Sequence, residues 1–242
     1  MRRATGARID AEGLGVRTKE GVVFSGVDLA AAPGSLTVFH ADSGGGRTSL
    51  LLTLAGRMRP TEGTLAVDGY ELPKKARKVR GVAALALCDG VNDLEDRLRV
   101  AEHLNERLLL RFRPAPRSVT GPALAAAGLG DLDTSRMVND LSMAEKRRLG
   151  VALALLDEPR LIVVDDADTG LGRDQQREFF KQLRDVADTG PTVVAACADP
   201  EAAEGLADVV ALTGDEQGPA GRHARALASS PAPEDVSDKE NA

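Results

Sequence analysis

The sequence contains few aromatic side chains: they make up 2% of its 242 residues, with Tyr70 as the only tyrosine and no tryptophan. A chain with so few rings offers little surface on which bases stack, which disfavours single-stranded nucleic-acid binding. The formal net charge of -6 points the same way, because nucleic-acid phosphates attract clustered lysine and arginine. We therefore expect no nucleic-acid partner, and we interpret the basic runs Lys74–Lys78 and Lys146–Arg148 as solvated surface.

Cysteine and long apolar runs are also scarce. The two cysteines, Cys88 and Cys197, lie in apolar runs far apart in the sequence, which predicts buried thiols of a reducing compartment, not a disulfide framework or a metal site. No apolar stretch follows residues 1–6, so no signal peptide is expected. No run approaches the ~18 apolar residues that a membrane-spanning helix needs. If the protein works at a membrane, another subunit has to hold it there.

Strand and helix patterns alternate along the chain. Apolar or alternating segments predict two strands within residues 22–39 and further strands within 63–72, 82–87, 161–164, 192–196 and 209–212. Helical patterns cover residues 47–55, 91–156 with interruptions near 114–116 and 128–130, and 175–186. Such alternation is typical of an α/β domain with a largely parallel sheet. The stretch after Thr213 is rich in glycine, alanine, serine, proline and acids, which predicts a disordered tail.

A glycine-rich loop lies between an apolar strand and the helix that begins at Arg47. Glycine permits the backbone conformations needed to wrap a phosphate, and a helix N-terminus adds free N–H groups and partial positive charge. In the pattern G-x-x-x-x-G-K-[ST] the cation reaches the terminal phosphates and the hydroxyl ligates magnesium. Here Ala41 replaces the first glycine, Arg47 replaces the lysine, and Thr48 supplies the hydroxyl. The predicted nucleotide-binding residues are Ala41, Asp42, Ser43, Gly44, Gly45, Gly46, Arg47, Thr48 and Ser49. The alternative is a flexible turn between a strand and a helix.

Two acids follow the apolar run Leu161–Val164. Carboxylates at this end of a buried strand emerge where ligands of open α/β sheets bind. We predict that Asp165 holds magnesium, through water, together with Thr48. Asp166 stands where a general base for an attacking water would stand. The alternative is a capped turn with two surface acids.

A third segment, Leu141-Ser142-Met143-Ala144-Glu145, contains the capping-box pattern S-x-x-E and precedes an alanine-rich helical run. The segment resembles the LSGGQ signature of ABC-transporter ATP-binding subunits. The run from Leu141 to Leu161 aligns with that family without insertion or deletion and contains its Glu-Pro-Arg approach to the acidic strand. The resemblance adds Ser142, Ala144 and Glu145 to the predicted nucleotide-binding residues, and it extends over residues 8–215.

The resemblance implies an α/β P-loop NTPase of the ATP-binding-cassette fold. That fold has a parallel core sheet, a small antiparallel β subdomain and an inserted helical subdomain, here at about 91–156, and residues 216–242 would form the tail. It also implies ATP and Mg²⁺ as cofactors. The partners would be a transmembrane permease subunit and a second cassette, in a homodimer or a heterodimer that joins head to tail. The expected location is cytoplasmic, peripheral on the inner face of the cell membrane.

Several positions depart from the family pattern. No aromatic stands near Thr18 or Lys19, where adenine would stack, and no glutamine stands near residues 88–90, where Asp89 is the nearest polar candidate. The switch histidine is replaced by Ala198, the catalytic glutamate by Asp166, and the signature glycines by Met143 and Ala144. Each lost base or transition-state donor costs on the order of 10²–10⁴ in rate, whereas the phosphate loop keeps its glycines, cation and hydroxyl. Nucleotide binding is therefore expected to survive better than hydrolysis.

Two hypotheses follow. The first is a transporter subunit that hydrolyses ATP slowly or beside a more competent cassette. The second is a non-hydrolytic interaction or regulatory protein that keeps the fold as a scaffold. In the family, the segment that corresponds to Val91–Leu110 forms the groove for the membrane subunit, and its many leucines lead us to expect such a docking surface here.

Overall fold

The computed structural model describes residues 6–41, 44–110 and 117–212. The strands found in these residues are β1 (Ile9–Thr18), β2 (Gly21–Ala31), β3 (Leu36–His40), β4 (Glu62–Val67), β5 (Tyr70–Glu71), β6 (Ala83–Leu85), β7 (Leu161–Val164), β8 (Thr192–Cys197) and β9 (Asp208–Ala211). The α-helices of the described residues are α1 (Arg47–Leu54), α2 (Ala76–Val82), α3 (Val100–Leu109), α4 (Arg117–Ala126), α5 (Met143–Leu155) and α6 (Arg173–Asp188). The expected tail, residues 216–242, lies outside the described residues.

A five-stranded parallel sheet forms the centre, in the order β6-β7-β8-β3-β9. Strands β7 and β8 are buried at every position, because helices or the second sheet cover both faces. Parallel pairing of β3 with β8 and of β7 with β8 brings the carboxyl ends of β3 and β7 to the same edge of the sheet. The predicted phosphate loop and the predicted acids therefore meet at that edge.

A four-stranded antiparallel sheet, in the order β2-β1-β4-β5, packs over one face of the parallel sheet. Strand β1 was not predicted from the sequence. Its pairing with β2 has three register irregularities, which break the regular alternation of buried and exposed residues that marks a strand in sequence. Buried apolar residues form one core between the two sheets. A second core lies on the opposite face of the parallel sheet, where α3, α4, α5 and α6 pack.

The α/β fold with a parallel core sheet, a small antiparallel sheet and inserted helices is confirmed, but three element boundaries were wrong. Residues 91–99 are turns, bends and irregular chain with an isolated bridge at Arg99, and α3 begins only at Val100. The Asp93 carboxylate accepts from the Gly90 N–H at 3.0 Å, a local bond that competes with helix formation. Residues 131–142, which were also expected to be helical, contain no helix other than the 3₁₀ helix Val138–Asp140, and α5 begins at Met143. The strand expected over 82–87 is limited to β6, because Val82 is the last residue of α2.

The basic run Lys146–Arg148 is not solvated surface. Arg147 is only 6% exposed, and its neighbours pair with acids: Lys146 with Asp96 at 2.7 Å and Arg148 with Glu178 at 3.4 Å. The side chains of the other run, Lys74–Lys78, are exposed at its four basic positions, as expected.

Both cysteines are free and buried, in agreement with the expectation from their apolar surroundings. Within the described ranges, none of the helices combines the length and the apolar character that crossing a membrane requires.

Candidate functional site

The glycine-rich loop joins β3 to α1, and its backbone requires glycine at two described positions. Gly44 and Gly46 have φ angles of 84° and 79°, in the left-handed region that other residues rarely adopt. A Cβ added to Gly46 would lie 2.5 Å from the Val23 carbonyl oxygen. Asp42 and Ser43 lie outside the described residues. The loop leads directly into the first turn of α1, where backbone N–H groups are free to bind an anion.

Arg47 is the first residue of α1, and its guanidinium turns back across the loop. Nη1 donates to the Ala41 carbonyl oxygen at 2.8 Å, and Nη2 pairs with Asp166 Oδ1 at 3.0 Å. Only 14% of the side chain is exposed. The sequence predicted that this cation reaches a nucleotide phosphate. In the structure it holds the carboxylate that was predicted to act as the base.

Thr48 and Asp165, the two predicted magnesium ligands, lie together. The Thr48 hydroxyl donates to Asp165 Oδ2 at 2.5 Å, and Asp165 Oδ1 accepts from the Asp166 N–H at 3.0 Å. Asp165 is 3% exposed, so these bonds balance much of its desolvation. The Ser49 carbonyl points into α1, where it accepts from the Thr53 hydroxyl at 2.7 Å.

Asp166 lies at the beginning of a tight loop after β7, with a φ of 43° that is uncommon for a non-glycine residue. Burial and the neighbouring Asp165 raise the pKa of its carboxyl, while Arg47 and Arg147 act in the opposite direction. The Asp166 side chain therefore lies near two arginines, Arg47 and Arg147, where the predicted phosphate loop ends at α1.

Cys88 and Asp89 occupy the position at which a glutamine was sought. The Cys88 thiol donates to Asp165 Oδ2 at 3.6 Å, and burial raises the pKa of Cys88 to about 12, so the thiol stays protonated at neutral pH. Asp89 is exposed, and its charge acts on both Asp166 and Arg147. This places an acid, not an amide, beside the predicted base.

Arg147 is a site residue that sequence reasoning missed. From inside α5 it donates to the Asp165 carbonyl oxygen at 3.1 Å and to the Thr169 carbonyl oxygen at 3.2 Å. Burial lowers the pKa of its guanidinium, and the nearby acids oppose this effect. These hydrogen bonds hold both ends of the acidic loop, Asp165 and Thr169, against α5, the helix that begins at the predicted signature. Its position in a basic run gave no signal, because such runs are usually exposed.

Asp168 was missed as well, and it links the acidic loop to the end of β8. Its Oδ2 accepts from the backbone N–H groups of Ala198 and Asp199 at 2.9 and 3.0 Å. Ala198 is exposed at the position where a histidine was sought. Gln176 in α6 completes the arrangement by donating to the Asp168 and Leu171 carbonyl oxygens.

The signature residues form the N-terminus of α5. Ser142 accepts from the Glu145 N–H at 3.2 Å, and the Glu145 carboxylate accepts from the Ser142 N–H at 2.7 Å, which completes the predicted capping box. Glu145 also pairs with Arg136 at 2.8 Å. Met143 is 45% exposed and packs on Gly170. A Cβ added to Gly170 would lie 2.9 Å from the Met143 Cγ. Ala144 is half-buried. Within the described residues, no hydrogen bond or ion pair joins this cluster to the loop.

Thr18 lies at the end of β1, and Lys19 follows in the turn to β2. The Thr18 hydroxyl accepts from the Glu20 N–H at 3.2 Å. Both side chains are exposed. The turn therefore presents polar atoms, with no ring, at the position expected for adenine stacking.

Comparisons with known proteins bear on this arrangement. The family model described as "ABC transporter" matches residues 24–169. The cytochrome c biogenesis ATP-binding export protein CcmA of Cupriavidus necator is 33% identical over 186 residues, which cover 77% of this chain and 81% of that protein. The ribose import ATP-binding protein RbsA 1 of Rhizobium etli is 28% identical over 76% of this chain, but the chain spans only 37% of that relative's length.

A solved structure, that of cbiO1 from Clostridium perfringens, described as part of the ABC transporter complex cbiONQ, covers 84% of this chain. The match also covers 84% of the cbiO1 chain, with a TM-score of 0.72 and 21% sequence identity. At that identity, the similarity shows a shared fold.

Proposed function

The chain belongs to the ATP-binding cassettes of the ABC transporter family, and from this premise we propose that it binds MgATP and couples that binding to a transmembrane permease subunit. The proposal depends above all on one observation. Arg47 and Thr48 of the phosphate loop contact Asp166 and Asp165, respectively, at the end of β7. Two loop residues and two acids thus converge where a nucleotide's phosphates and metal would lie.

The residues present fit MgATP. The α1 N-terminus and the loop from Ala41 to Ser49 would hold the phosphates, and Thr48 with Asp165 would hold the magnesium. One carboxylate and one hydroxyl are a small ligand set, which suits Mg²⁺ because this ion keeps several waters and binds substrate phosphates. Bound MgATP supplies the phosphoryl group for transfer to water.

Hydrolysis is proposed to be slow, or to need a more competent partner cassette. Asp166 is one methylene shorter than glutamate and is paired with Arg47, so it is poorly placed to receive a proton from water. Ala198 carries no imidazole to donate to the transferred group. In a head-to-tail homodimer or heterodimer, Ser142, Ala144 and Glu145 would face the nucleotide of the partner cassette. Glu145 brings a negative charge to that position.

Nucleotide binding tests this proposal. We expect calorimetric titration with MgATP to give a measurable dissociation constant, and Arg47→Ala to raise it by about 10–100-fold, the loss associated with a hydrogen bond to a charged group. Arg8→Ala is the control, because among the described residues Arg8 forms an ion pair with the exposed Asp10 alone. The absence of heat or competition at millimolar MgATP would exclude the binding function.

The permease is proposed to dock at a groove between β6 and α3, although much of the Val91–Leu110 segment differs from expectation. Val100, Leu104 and Leu108 form one buried stripe of α3, and Leu94 is half-buried against the core. Leu110 is 72% exposed. The groove lining includes Leu85, Ala86, Asn92, Leu94, Arg107 and Leu110. Leu110 thus supplies an exposed apolar side chain at the groove wall.

Leu110→Glu is expected to reduce association with membranes of the native host by on the order of tenfold. The melting temperature is expected to change little, because the Leu110 side chain is largely in solvent. Val22→Glu adds the same charge on β2, where Val22 is 36% exposed, and serves as the control. Equal membrane association of all three proteins would contradict the docking assignment.

A further inference from the structure

Seven exposed cations lie on two segments that pack against each other, residues 57–59 and 74–80, and we call them the basic face: Arg57, Arg59, Lys74, Lys75, Arg77, Lys78 and Arg80. No ion pair links any of them to an acid within the described parts of the chain. Of the three acids nearest in sequence, two form ion pairs with other arginines. Asp68 pairs with Arg160 and Glu62 pairs with Arg17, whereas Glu71 is exposed.

The packing of α2 joins the two segments of the basic face. Val79 is the buried residue of α2, so the basic side chains of this helix face outward. Arg80 Nη1 donates to the Gly56 carbonyl oxygen at 2.9 Å, and a Cβ added to Gly56 would lie 2.9 Å from the Ala76 carbonyl oxygen. The loop that carries Arg57 and Arg59 is therefore fixed against α2. Partial burial and repulsion by Arg107 and Arg80 lower the pKa of Arg57, as expected where positive charges cluster.

The basic face contrasts with the rest of the protein, whose formal net charge is -6. Concentrated positive charge on an acidic protein creates a local field that attracts an anionic partner. A single-stranded nucleic acid is disfavoured as the partner, because the chain has one tyrosine and no tryptophan on which bases could stack.

Two exposed leucines follow Arg107 of α3, whose charge acts on Arg57 of the basic face. Arg57 lies near Arg107 of α3, whose charge is taken up by Asp157. One turn further on, Leu110 is 72% exposed, and Leu109 beside it is 68% exposed. Exposed leucines next to unpaired lysines and arginines are typical of surfaces that rest on anionic membranes, where apolar groups enter the interface and cations contact the headgroups.

We propose that the basic face binds the anionic headgroups of a lipid bilayer. This proposal rests on the proposed function in one respect. The groove that includes Arg107 and Leu110 is the one assigned to the permease, so the basic face and the groove would face the membrane together. Each Lys or Arg near an anionic leaflet increases binding about fivefold, so several cations suffice for reversible attachment. Screening by salt weakens such binding.

The test uses the full chain and protein-free vesicles, so that no permease is present. Wild-type protein is expected to sediment with vesicles containing about one third phosphatidylglycerol and not with pure phosphatidylcholine vesicles. The variant Arg77→Gln with Lys78→Gln removes two cations from α2, and its binding is expected to fall by about 25-fold. Arg117→Gln with Lys181→Gln is the matched control, because both residues are exposed and belong to α4 and α6 of the other core. Its binding is expected to stay within about twofold of wild type.

Several results would overturn the proposal: no sedimentation with anionic vesicles, equal binding to neutral vesicles, or equal losses in the two variants. Release of the protein from vesicles by millimolar inorganic phosphate would indicate a site for a small anion. Tighter binding to duplex DNA than to vesicles at the same salt would favour a nucleic acid. Calorimetry with MgATP on the same proteins separates this proposal from the nucleotide function, since Arg77 and Lys78 lie outside the phosphate loop.

Discussion

The double substitution Asp166→Glu with Ala198→His is expected to raise steady-state phosphate release by at least about 10²-fold, because each restored group recovers part of a loss of 10²–10⁴. Wild-type turnover is expected to stay below ~1 s⁻¹, at the low end of typical enzymes. Glutamate extends one methylene further from β7 than the carboxylate now held by Arg47. The Ala198 side chain is exposed, so an imidazole has room there.

Each substitution alone is expected to give a smaller gain than the pair, because a base and a donor act on the same step. Asp165→Asn in the double variant is the control, since it removes the predicted metal partner and is expected to abolish the gain. Wild-type turnover well above ~1 s⁻¹ would show that ATP hydrolysis does not need the glutamate and the histidine that Asp166 and Ala198 replace. No gain in the double variant, with MgATP binding intact, would favour the non-hydrolytic interaction protein.

Arg147→Met is expected to lower the free energy of unfolding by about 3 kcal/mol, because the Asp165 and Thr169 carbonyl oxygens lose their charged donor inside the protein. For a chain of this size that corresponds to a fall in melting temperature of about 6–12 °C. Methionine retains much of the side-chain volume, so the loss reports mainly on the guanidinium. Thermal unfolding followed by circular dichroism measures the change.

Arg148→Met, at the adjacent position, is the matched control. Arg148 pairs with Glu178, whose side chain is 73% exposed, and the loss is expected to stay within about 1 kcal/mol. Equal destabilisation by the two substitutions would contradict the role assigned to Arg147. Arg147→Lys retains the charge but not the planar fork, so we expect an intermediate loss.

Much of the fold could be predicted from the sequence, because its signals are local. The apolar run Leu161–Val164 coincides with β7, and the helix that begins at Arg47 is α1. Strand β1 escaped prediction because bulges interrupt its alternation, and residues 91–99 escaped because short polar side chains bond to the nearby backbone.

The candidate site shows the same division. Motif order located the predicted phosphate loop, the acids after β7 and the capping box at Ser142, since each is a short stretch with its own chemistry. The roles assigned to these residues stay predictions. Motif order could not show that Arg147 is buried, because a basic run has the same appearance in sequence whether it faces water or carbonyl oxygens.

The sequence by itself determined most of the strands, helices and glycine turns, with β1 and residues 91–99 as exceptions, because periodicity and backbone freedom act over a few residues. Only the tertiary structure decided that Arg47 pairs with Asp166, 119 residues away, and that Thr48 bonds to Asp165, 117 residues away. It also decided that the basic residues of α2 and the loop at Arg57 share one surface. Side chains this far apart in sequence meet because parallel pairing within the central sheet brings the ends of β3 and β7 together.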